Sequence, residues 1–369
     1  MRLAASSTAA SRFVTRTVEP QKLWSREETP GSFFAPLESP ALSCQNIDVN
    51  SVTDQAQQLL DRGDVQGAAT LLKRAEQAGD GSAARELASW LLEGRIIRRN
   101  LAEARAYFER AASLGDMRSQ EIVRAFVAGG VGGPADWGRA IELLGGAAAT
   151  DPHARAQLRL IEKMRITPAG DPERPFPSKT LSEDPEIRVF PKFFSADECA
   201  FLIEAARPAL RPSFVIDPYS GREIPNPVRT SRGVGFPFVD ENPAIHALNR
   251  RIASASGTDV RAGEPVQVLS YAPGQQYREH SDALPNVAPG QQRVLTFLVY
   301  LDDDYEGGET AFPALGISFR GQIGDGLMFR NAARDGTPDQ RAIHAGLPVT
   351  QGVKHIASRW IRAEQLRLE

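Results

Sequence analysis

The stretch YREHSD, residues 277–282, organises the C-terminal half of the chain. It contains His280 and Asp282, two potential metal ligands separated by one residue. Residues i and i+2 of an extended strand point to the same face of the sheet, so the two side chains can bind one metal ion together. The pair alone is weak evidence, because a histidine and an aspartate at this spacing also occur by chance. The prediction of a metal site therefore depends on a third ligand downstream.

His344 is that candidate, since it lies in RAIHAGLPV (341–349) beside a predicted strand. Two histidines and one carboxylate form the facial triad of non-haem Fe(II) oxygenases, which leaves coordination positions open for a cosubstrate and O2. A structural zinc site favours four ligands, usually including cysteine, and neither cysteine of the chain lies near these residues. Lys354 follows on the next strand-like run, where a fixed cation is suited to pair with a carboxylate of a cosubstrate.

The region around the triad, residues 186–369, is predicted to be rich in short strands. Ser195, followed by Glu198 three residues later, predicts the start of one helix. Short β-like runs then alternate with Gly, Pro and Asp turns, which indicates a sandwich or barrel. The runs are PVQVLSY (265–271), VLTFLVYL (294–301), TAFPA (310–314), GISFR (316–320), DGLMFR (325–330), GLPVT (346–350) and IASRWIR (356–362).

Residues 51–165 repeat themselves instead. Ala68, Ala104 and Ala140 recur at a spacing of 36 residues, and neighbouring apolar positions follow at i+3, i+4 and i+7. This pattern predicts amphipathic helices in pairs, and hence an α-solenoid, because one pair cannot bury its apolar face alone. Gly94 and Gly129–Gly130 are predicted to mark the turns between the helices of a pair. The helices either bind a protein partner or only brace the neighbouring domain, and the sequence leaves both open.

The remaining segments and the composition set broader limits. We expect residues 1–50 to be a disordered tail, although the first eighteen loosely resemble an organelle transit peptide, and the proline-rich residues 166–185 to be a linker. A net charge of −3 gives no reason to expect nucleic-acid or membrane partners. Two isolated cysteines, Cys44 and Cys199, suit a reducing, cytoplasmic location, and no apolar run approaches the length of a membrane span.

Two resemblances extend these predictions. The copies in 51–165, such as AEARAYFERAASLGD (102–116), resemble Sel-type repeats, short relatives of tetratricopeptide units. Residues 186–369 resemble the catalytic domain of prolyl 4-hydroxylases, which are Fe(II)/2-oxoglutarate dioxygenases. The matching stretches are VRTSRG (228–233), EPVQVLSYAPGQQYREHSD (264–282), GQQRVLTFLVYLDDDYEGGETAFP (290–313) and HAGLPVTQGVKHIASRWIR (344–362). The resemblance implies a double-stranded β-helix, a jelly-roll-like barrel.

The resemblance also implies roles for individual residues. His280, Asp282 and His344 would bind Fe(II), while Lys354, Tyr271 and Thr310 would hold 2-oxoglutarate. The implied activity uses O2 to hydroxylate a prolyl residue of a peptide or protein and releases succinate and CO2, with L-ascorbate rescuing oxidised iron. Six residues match positions that the family uses around the substrate: Tyr277, Arg293, Glu264, Arg229, Ser231 and Trp360.

Two departures from the family concern the surroundings of this site. His355 stands where the family often has Trp, and Arg362 stands where some members have a second histidine near the substrate. His355 should point away from the site, because it is the strand neighbour of Lys354. The sequence leaves two alternatives to prolyl hydroxylation: a related oxygenase that acts on another residue or a small molecule, and a catalytically inactive module that only binds proteins.

Overall fold

The computed structural model describes residues 51–216, 223–333 and 335–366, and all of them belong to one compact unit. The predicted tail 1–50, with its transit-peptide resemblance and Cys44, lies outside the described residues. In the described part, no helix combines the length and apolarity needed to cross a membrane.

The described residues between 51 and 163 form seven helices, which we call the helical region. Successive helices pack against each other along the chain, as expected of a solenoid of helix pairs. The structure thus confirms the predicted helical repeats. The helices are α1 Val52–Asp61, α2 Val65–Gln77, α3 Gly81–Glu93, α4 Leu101–Ser113, α5 Met117–Gly129, α6 Trp137–Ala148 and α7 Pro152–Lys163.

Short polar residues start these helices and glycines end two of them. Asp80, Asn100 and Asp116 each accept a hydrogen bond from a backbone N–H of the first turn of α3, α4 and α5, which satisfies donors that have no partner within the helix. Gly94 and Gly130 end α3 and α5 in the left-handed conformation, with φ of 71° and 75°. Glycine adopts this conformation without steric cost, so turns follow at Gly94 and Gly130, while Gly129 is the last residue of α5.

The described residues after 163 form the sheet region, in which two antiparallel sheets enclose a core and two helices cover the outside. The helices are α8 Ala196–Ala206 and α9 Pro243–Ser256. The strands are β1 Lys179–Glu183, β2 Glu186–Phe190, β3 Arg211–Pro212, β4 Phe214–Ile216, β5 Glu223–Pro225, β6 Arg232–Gly235, β7 Gln267–Tyr271, β8 Tyr277–His280, β9 Arg293–Tyr300, β10 Tyr305–Gly307, β11 Thr310–Phe312, β12 Ile317–Phe319, β13 Gly326–Arg330, β14 His344–Gly346, β15 Val349–Gly352 and β16 Lys354–Arg362.

The larger sheet has the order β1-β2-β13-β9-β16-β7-β6-β3, and the smaller sheet has the order β12-β11-β14-β8. Strands β10 and β15 pair with each other, as do β4 and β5. Side chains from both sheets, including Tyr271 and Phe312, meet in one apolar cluster between them. This arrangement is the double-stranded β-helix that the resemblance implies.

Strand β9 shows how the larger sheet separates two cores. Leu298 and Tyr300 point into the cluster between the sheets. Leu295, Phe297 and Val299 point to the opposite face, where they belong to the apolar core that also contains α8, α9 and the helical region. Both faces of the strand are therefore buried, and alternate residues serve different cores.

Helix α9 joins the two regions and was not predicted from the sequence. It contacts α5, α6 and α7 on one side. On the other side, Arg359 of β16 donates a hydrogen bond to the carbonyl of Asn249 in α9 and another to the carbonyl of Glu264. A bidentate ion pair between Arg251 of α9 and Glu198 of α8, with N–O distances of 2.6 and 2.7 Å, fixes the helix further. The helical region thus shares its core with the sheet region.

Candidate active site

The three predicted metal ligands come together at the end of the smaller sheet. His280 ends β8 and His344 begins β14, and the two residues pair directly across these strands. Asp282 follows β8 by two residues. Its two carboxylate oxygens lie 3.5 Å from Nε2 of His280 and 3.6 Å from Nε2 of His344. One ligand atom from each residue can be chosen so that all three lie within 4.8 Å of one another.

Backbone carbonyls set the orientation of both imidazoles. Nδ1 of His280 lies 2.8 Å from the carbonyl oxygen of Arg278, and Nδ1 of His344 lies 3.1 Å from that of Ala342. A carbonyl oxygen only accepts hydrogen bonds, so each Nδ1 carries the proton and donates it. In the neutral form of each ring this leaves the lone pair on Nε2, which is the tautomer that metal binding needs.

A chain of two hydrogen bonds orients the carboxylate. Thr296 of β9 donates through Oγ1 to Asp282 at 2.6 Å, and Asn331 donates through Nδ2 to Thr296 Oγ1 at 2.8 Å. Burial alone would raise the pKa of Asp282, but His344, His280 and the Thr296 hydroxyl outweigh it and lower the pKa below its ordinary value. Burial lowers the pKa of His344 to about 4. At neutral pH the site thus offers one carboxylate and a neutral His344 imidazole.

Lys354 begins β16 in the larger sheet, directly opposite Tyr271 of β7. Its ammonium group is buried, donates to the carbonyl of Gly308 at 2.6 Å, and lies 5.7 Å from the ring centroid of Tyr271 and 5.2 Å from that of Tyr300. Burial lowers the pKa of Lys354 to about 8, against the raising effect of Glu309 and Asp302. The lysine is thus a poorly hydrated cation inside the barrel, without a carboxylate hydrogen-bonded to it among the described residues.

Thr310, the other residue predicted to hold a cosubstrate, is buried in β11. Its hydroxyl lies 2.8 Å from the hydroxyl of Tyr300. Tyr300, which the sequence analysis did not single out, therefore links Thr310 to the surroundings of Lys354. These residues form a polar patch within an otherwise apolar barrel interior.

Four of the residues predicted to contact substrate form two contact groups near the triad. Glu264 and Arg293 make a bidentate ion pair at 2.7 and 2.8 Å, and the guanidinium of Arg293 stacks 3.7 Å from the ring centroid of Trp360. Tyr277 stacks on the imidazole of His280, with 3.4 Å between ring centroids.

The remaining two substrate candidates lie beside this second group. The guanidinium of Arg229 lies 5.6 Å from the ring centroid of Tyr277, and its Nε donates to Ser213 Oγ at 3.1 Å. The hydroxyl of Ser231 lies 3.3 Å from that of Ser213 and is buried. All six predicted residues thus lie on or beside the strands that carry the metal ligands and Lys354.

His355 lies on the opposite side of the sheet from Lys354. Its Nδ1 contacts a carboxylate oxygen of Asp302 at 2.5 Å, and its Nε2 lies 3.2 Å from the hydroxyl of Ser270. Both contacts are on the outer face of the larger sheet, as alternation along β16 requires. His355 is thus separated from the triad, as the sequence predicts.

Comparisons with known proteins identify the family. The model of the 2OG-Fe(II) oxygenase superfamily matches residues 266–362. Prolyl 4-hydroxylase 1 of Arabidopsis thaliana is 39% identical over 201 residues, which cover 50% of this chain and 71% of that protein. The chain belongs to the 2OG-Fe(II) oxygenase superfamily. It is a 2-oxoglutarate-dependent dioxygenase, and its cofactors are Fe(II), 2-oxoglutarate and O2.

Two solved structures are each similar to part of this dioxygenase. The viral collagen prolyl hydroxylase of Paramecium bursaria Chlorella virus-1 is 30% identical and covers 48% of this chain and 96% of its own, with a TM-score of 0.39. A Sel1 repeat protein from Oxalobacter formigenes is 24% identical and covers 30% of this chain and 88% of its own, with a TM-score of 0.27.

The site of this dioxygenase fits both of the groups that the superfamily uses. Two histidine nitrogens and one ionised carboxylate are the donor set of non-haem Fe(II) sites. The buried ammonium of Lys354, to which no carboxylate is hydrogen-bonded among the described residues, fits a carboxylate of 2-oxoglutarate. Three residues of this site escaped the sequence analysis: Thr296, Asn331 and Tyr300. Thr296 and Tyr300 share the inward face of β9, but both faces of this strand are buried, so no alternation of polar and apolar residues in the sequence marks them.

Proposed function

We propose that this dioxygenase hydroxylates a prolyl residue in a peptide or protein substrate. The observation that carries the proposal is the convergence of the His280–Asp282–His344 cluster and buried Lys354 inside one barrel. Relatives that share about half of this chain are named prolyl 4-hydroxylases, and they support the choice of substrate. When bound, iron and 2-oxoglutarate supply the oxidising chemistry that inserts one oxygen atom of O2 into a C–H bond and releases succinate and CO2.

We assign the metal to Nε2 of His280, Nε2 of His344 and the carboxylate of Asp282. The carbonyl contacts of both imidazoles hold these atoms ready before the metal arrives. Thr296 keeps one carboxylate oxygen hydrogen-bonded, which fixes the direction of the other. This support makes the site preorganised, so little reorganisation is needed on binding.

We assign the distal carboxylate of 2-oxoglutarate to Lys354, with the hydroxyls of Tyr271 and Thr310 beside it. A carboxylate in this position would replace the lost hydration of the ammonium with a charge-assisted hydrogen bond. The apolar side chains around the polar patch exclude water and strengthen that interaction. The pocket therefore favours a dicarboxylic acid whose far end is anionic.

On the substrate side, Trp360 has an indole N–H that is buried and lacks a hydrogen-bond partner among the described residues. A buried donor without an acceptor is costly, so the indole N–H is available to a hydrogen-bond acceptor that reaches it when the side chain shifts on substrate binding. Arg293 and Glu264 hold the ring in place through the stacked guanidinium and the ion pair. Arg229, Ser231 and Tyr277 would contact the same peptide from the neighbouring strands.

We further propose that the helical repeats brace this domain, since α9 packs between α5, α6, α7 and the sheet region within one continuous core. Phe126 of α5 shows the connection, with ring centroids 5.6 Å from Phe108 and 5.8 Å from Phe238. The division into a helical domain (51–165), a linker (166–185) and a catalytic domain (186–369) stays a proposal. Strand β1, Lys179–Glu183, lies within the segment predicted to be the linker. A dependence on L-ascorbate and a cytoplasmic location also stay predictions.

The test is a coupled assay of the purified protein with Fe(II), 2-oxoglutarate and a panel of peptides that contain proline, lysine or asparagine as the single candidate target. The proposal predicts succinate release matched by hydroxylation of the proline peptides, and loss of both in His280→Ala. Hydroxylation of another residue would instead support the related-oxygenase alternative. Absence of succinate with every peptide, together with unchanged metal content in His280→Ala, would support the inactive binding module.

A further inference from the structure

A cleft of about 1250 Å³ separates the helical region from the sheet region next to the end of β16. The start of α4 and the loop of residues 130–133 form one wall. The end of α9 with residues 256–262, and the C-terminal residues 362–366, form the other. None of these segments contains a metal ligand or a residue assigned to 2-oxoglutarate.

The wall from the helical region is held in shape before any ligand binds. Arg105 of α4 donates hydrogen bonds to the carbonyls of Val131 and Pro134, at 3.4 and 3.3 Å. Gly132 has a φ of 67°, and a Cβ atom there would lie 2.3 Å from the carbonyl oxygen of Leu101. The loop therefore packs against α4 at a distance that only glycine permits. A preformed wall lowers the entropic cost of binding.

Arg362 connects this cleft to the active site. It lines the cleft and also donates to the carboxylate of Glu264, the same carboxylate that pairs with Arg293. Trp360 lies two residues earlier on β16 and pairs with Thr296, whose hydroxyl binds the Asp282 carboxylate. Two residues of a strand span about 7 Å, so the cleft begins one side-chain position beyond the residues assigned to substrate.

The arginines that line the cleft already have partners. Arg261 pairs with Asp259 at 3.1 Å, and Arg330 pairs with Glu186 at 3.2 Å. Arginines that are neutralised in this way offer little attraction to a free phosphate or another small anion. The walls of the cleft combine hydrogen-bonding groups with the apolar surface of residues such as Val294 and Leu366. This combination suits an extended polypeptide, whose backbone forms hydrogen bonds and whose side chains make apolar contacts.

We propose that the cleft binds the part of the polypeptide substrate that flanks the target residue, so that the helical repeats form one side of the substrate path. The inference rests on the proposed function and adds a substrate class to it: an extended chain long enough to reach from the triad past Arg362 into the cleft. A short peptide would occupy only the barrel mouth. A longer chain gains binding energy from a site remote from the reacting carbon.

The experiment compares two proline oligomers, of about 6 and about 30 residues, which adopt the extended polyproline conformation with a rise of about 3.1 Å per residue. Two variants fill the cleft from opposite walls: Ala102→Trp in the first turn of α4 and Ala363→Trp beyond β16. Both alanines are exposed, so the fold tolerates the change. The matched control is Ala196→Trp, an exposed alanine in the first turn of α8 that does not line the cleft.

The unaltered protein should hydroxylate the long oligomer with a kcat/KM per target residue about tenfold above that of the short one, equivalent to about 1.4 kcal/mol. Both cleft variants should lose that advantage through KM and keep the short-oligomer rate, while Ala196→Trp keeps both. Retention of the full advantage in both cleft variants, or an equal loss on both oligomers, would overturn the inference. Absence of hydroxyproline on either oligomer with the unaltered protein would instead count against the proposed function on which it rests.

Discussion

Replacing Thr296 by Val tests whether a residue that does not itself bind the metal contributes to metal affinity by orienting the ligand Asp282. The substitution conserves the volume and shape of a side chain in β9 that is almost fully buried. It removes the hydroxyl that donates to Asp282 at 2.6 Å and that accepts from Asn331 at 2.8 Å. The carboxylate loses its fixed direction, and the Asn331 amide loses its acceptor.

The expected magnitude follows from the charge of the acceptor. A buried hydrogen bond to a charged group contributes about 1.5–3 kcal/mol, and one factor of ten in affinity corresponds to about 1.4 kcal/mol. The metal dissociation constant should therefore rise about 10- to 100-fold, the range typical of residues that support metal ligands. Activity should recover at saturating iron, because all three ligands remain.

Anaerobic calorimetric titration with Fe(II), repeated with Mn(II) as a redox-stable substitute, measures this change directly. Ser270→Ala is the control, since it removes the hydroxyl that contacts His355 at 3.2 Å on the outer face of the same sheet. The control should lose some thermal stability and keep the metal affinity. If Thr296→Val matches the control in both stability and metal affinity, the reasoning about the support of Asp282 is wrong.

Three further predictions concern the cosubstrate and the core. Lys354→Met should abolish 2-oxoglutarate binding, as measured by calorimetry. It should also stabilise the free protein at pH 7 by up to about 3 kcal/mol, because the pKa of Lys354 in the folded state, about 8, lies below its ordinary value of 10.5 and the buried charge therefore disfavours folding. Thermal unfolding without cosubstrate measures this change, and a lower unfolding temperature of the variant would contradict it. With the unaltered protein, the KM for 2-oxoglutarate should rise toward tenfold per pH unit above about pH 8, as the folded lysine loses its proton, whereas Lys354→Arg, if it binds the cosubstrate, should show a flat profile. Phe126→Ala should lower the free energy of unfolding by about 3–5 kcal/mol. The loss of helical structure and the loss of activity on heating should shift to lower temperature together. Two separated transitions would argue against one shared core.

The triad and the fold class could be predicted because their signals are local. His280 and Asp282 stand two residues apart in the sequence, the spacing of neighbouring positions on one strand face, although the strand itself ends at His280. His344 stands beside a strand run with clear turn residues around it. The repeats were equally visible, because the alanine positions recur at a constant spacing and packing between pairs requires small side chains. Each of these features depends on a pattern within a short window of sequence.

Helix α9 and the inward residues of β9 were missed for the opposite reason. In α9, Asn249 and Arg251 are buried polar residues, so the apolar stripe that marks a helix is interrupted; a distant carboxylate, Glu198, makes the buried arginine tolerable. In β9, both faces are buried, which produces a nearly continuous apolar run without alternation. Thr296 and Tyr300 could be assigned only once the two sheets were seen to enclose one core and the helices another.

The most direct test of the central claim is mass spectrometry of a proline peptide after reaction under isotopically labelled O2, with Fe(II) and 2-oxoglutarate present. The account predicts one labelled oxygen atom on the target proline and one in the succinate that is released with it, and neither with His344→Ala, which removes a metal ligand. A peptide that gains unlabelled oxygen from water, or a His344→Ala protein that keeps the activity of the unaltered chain, would contradict it.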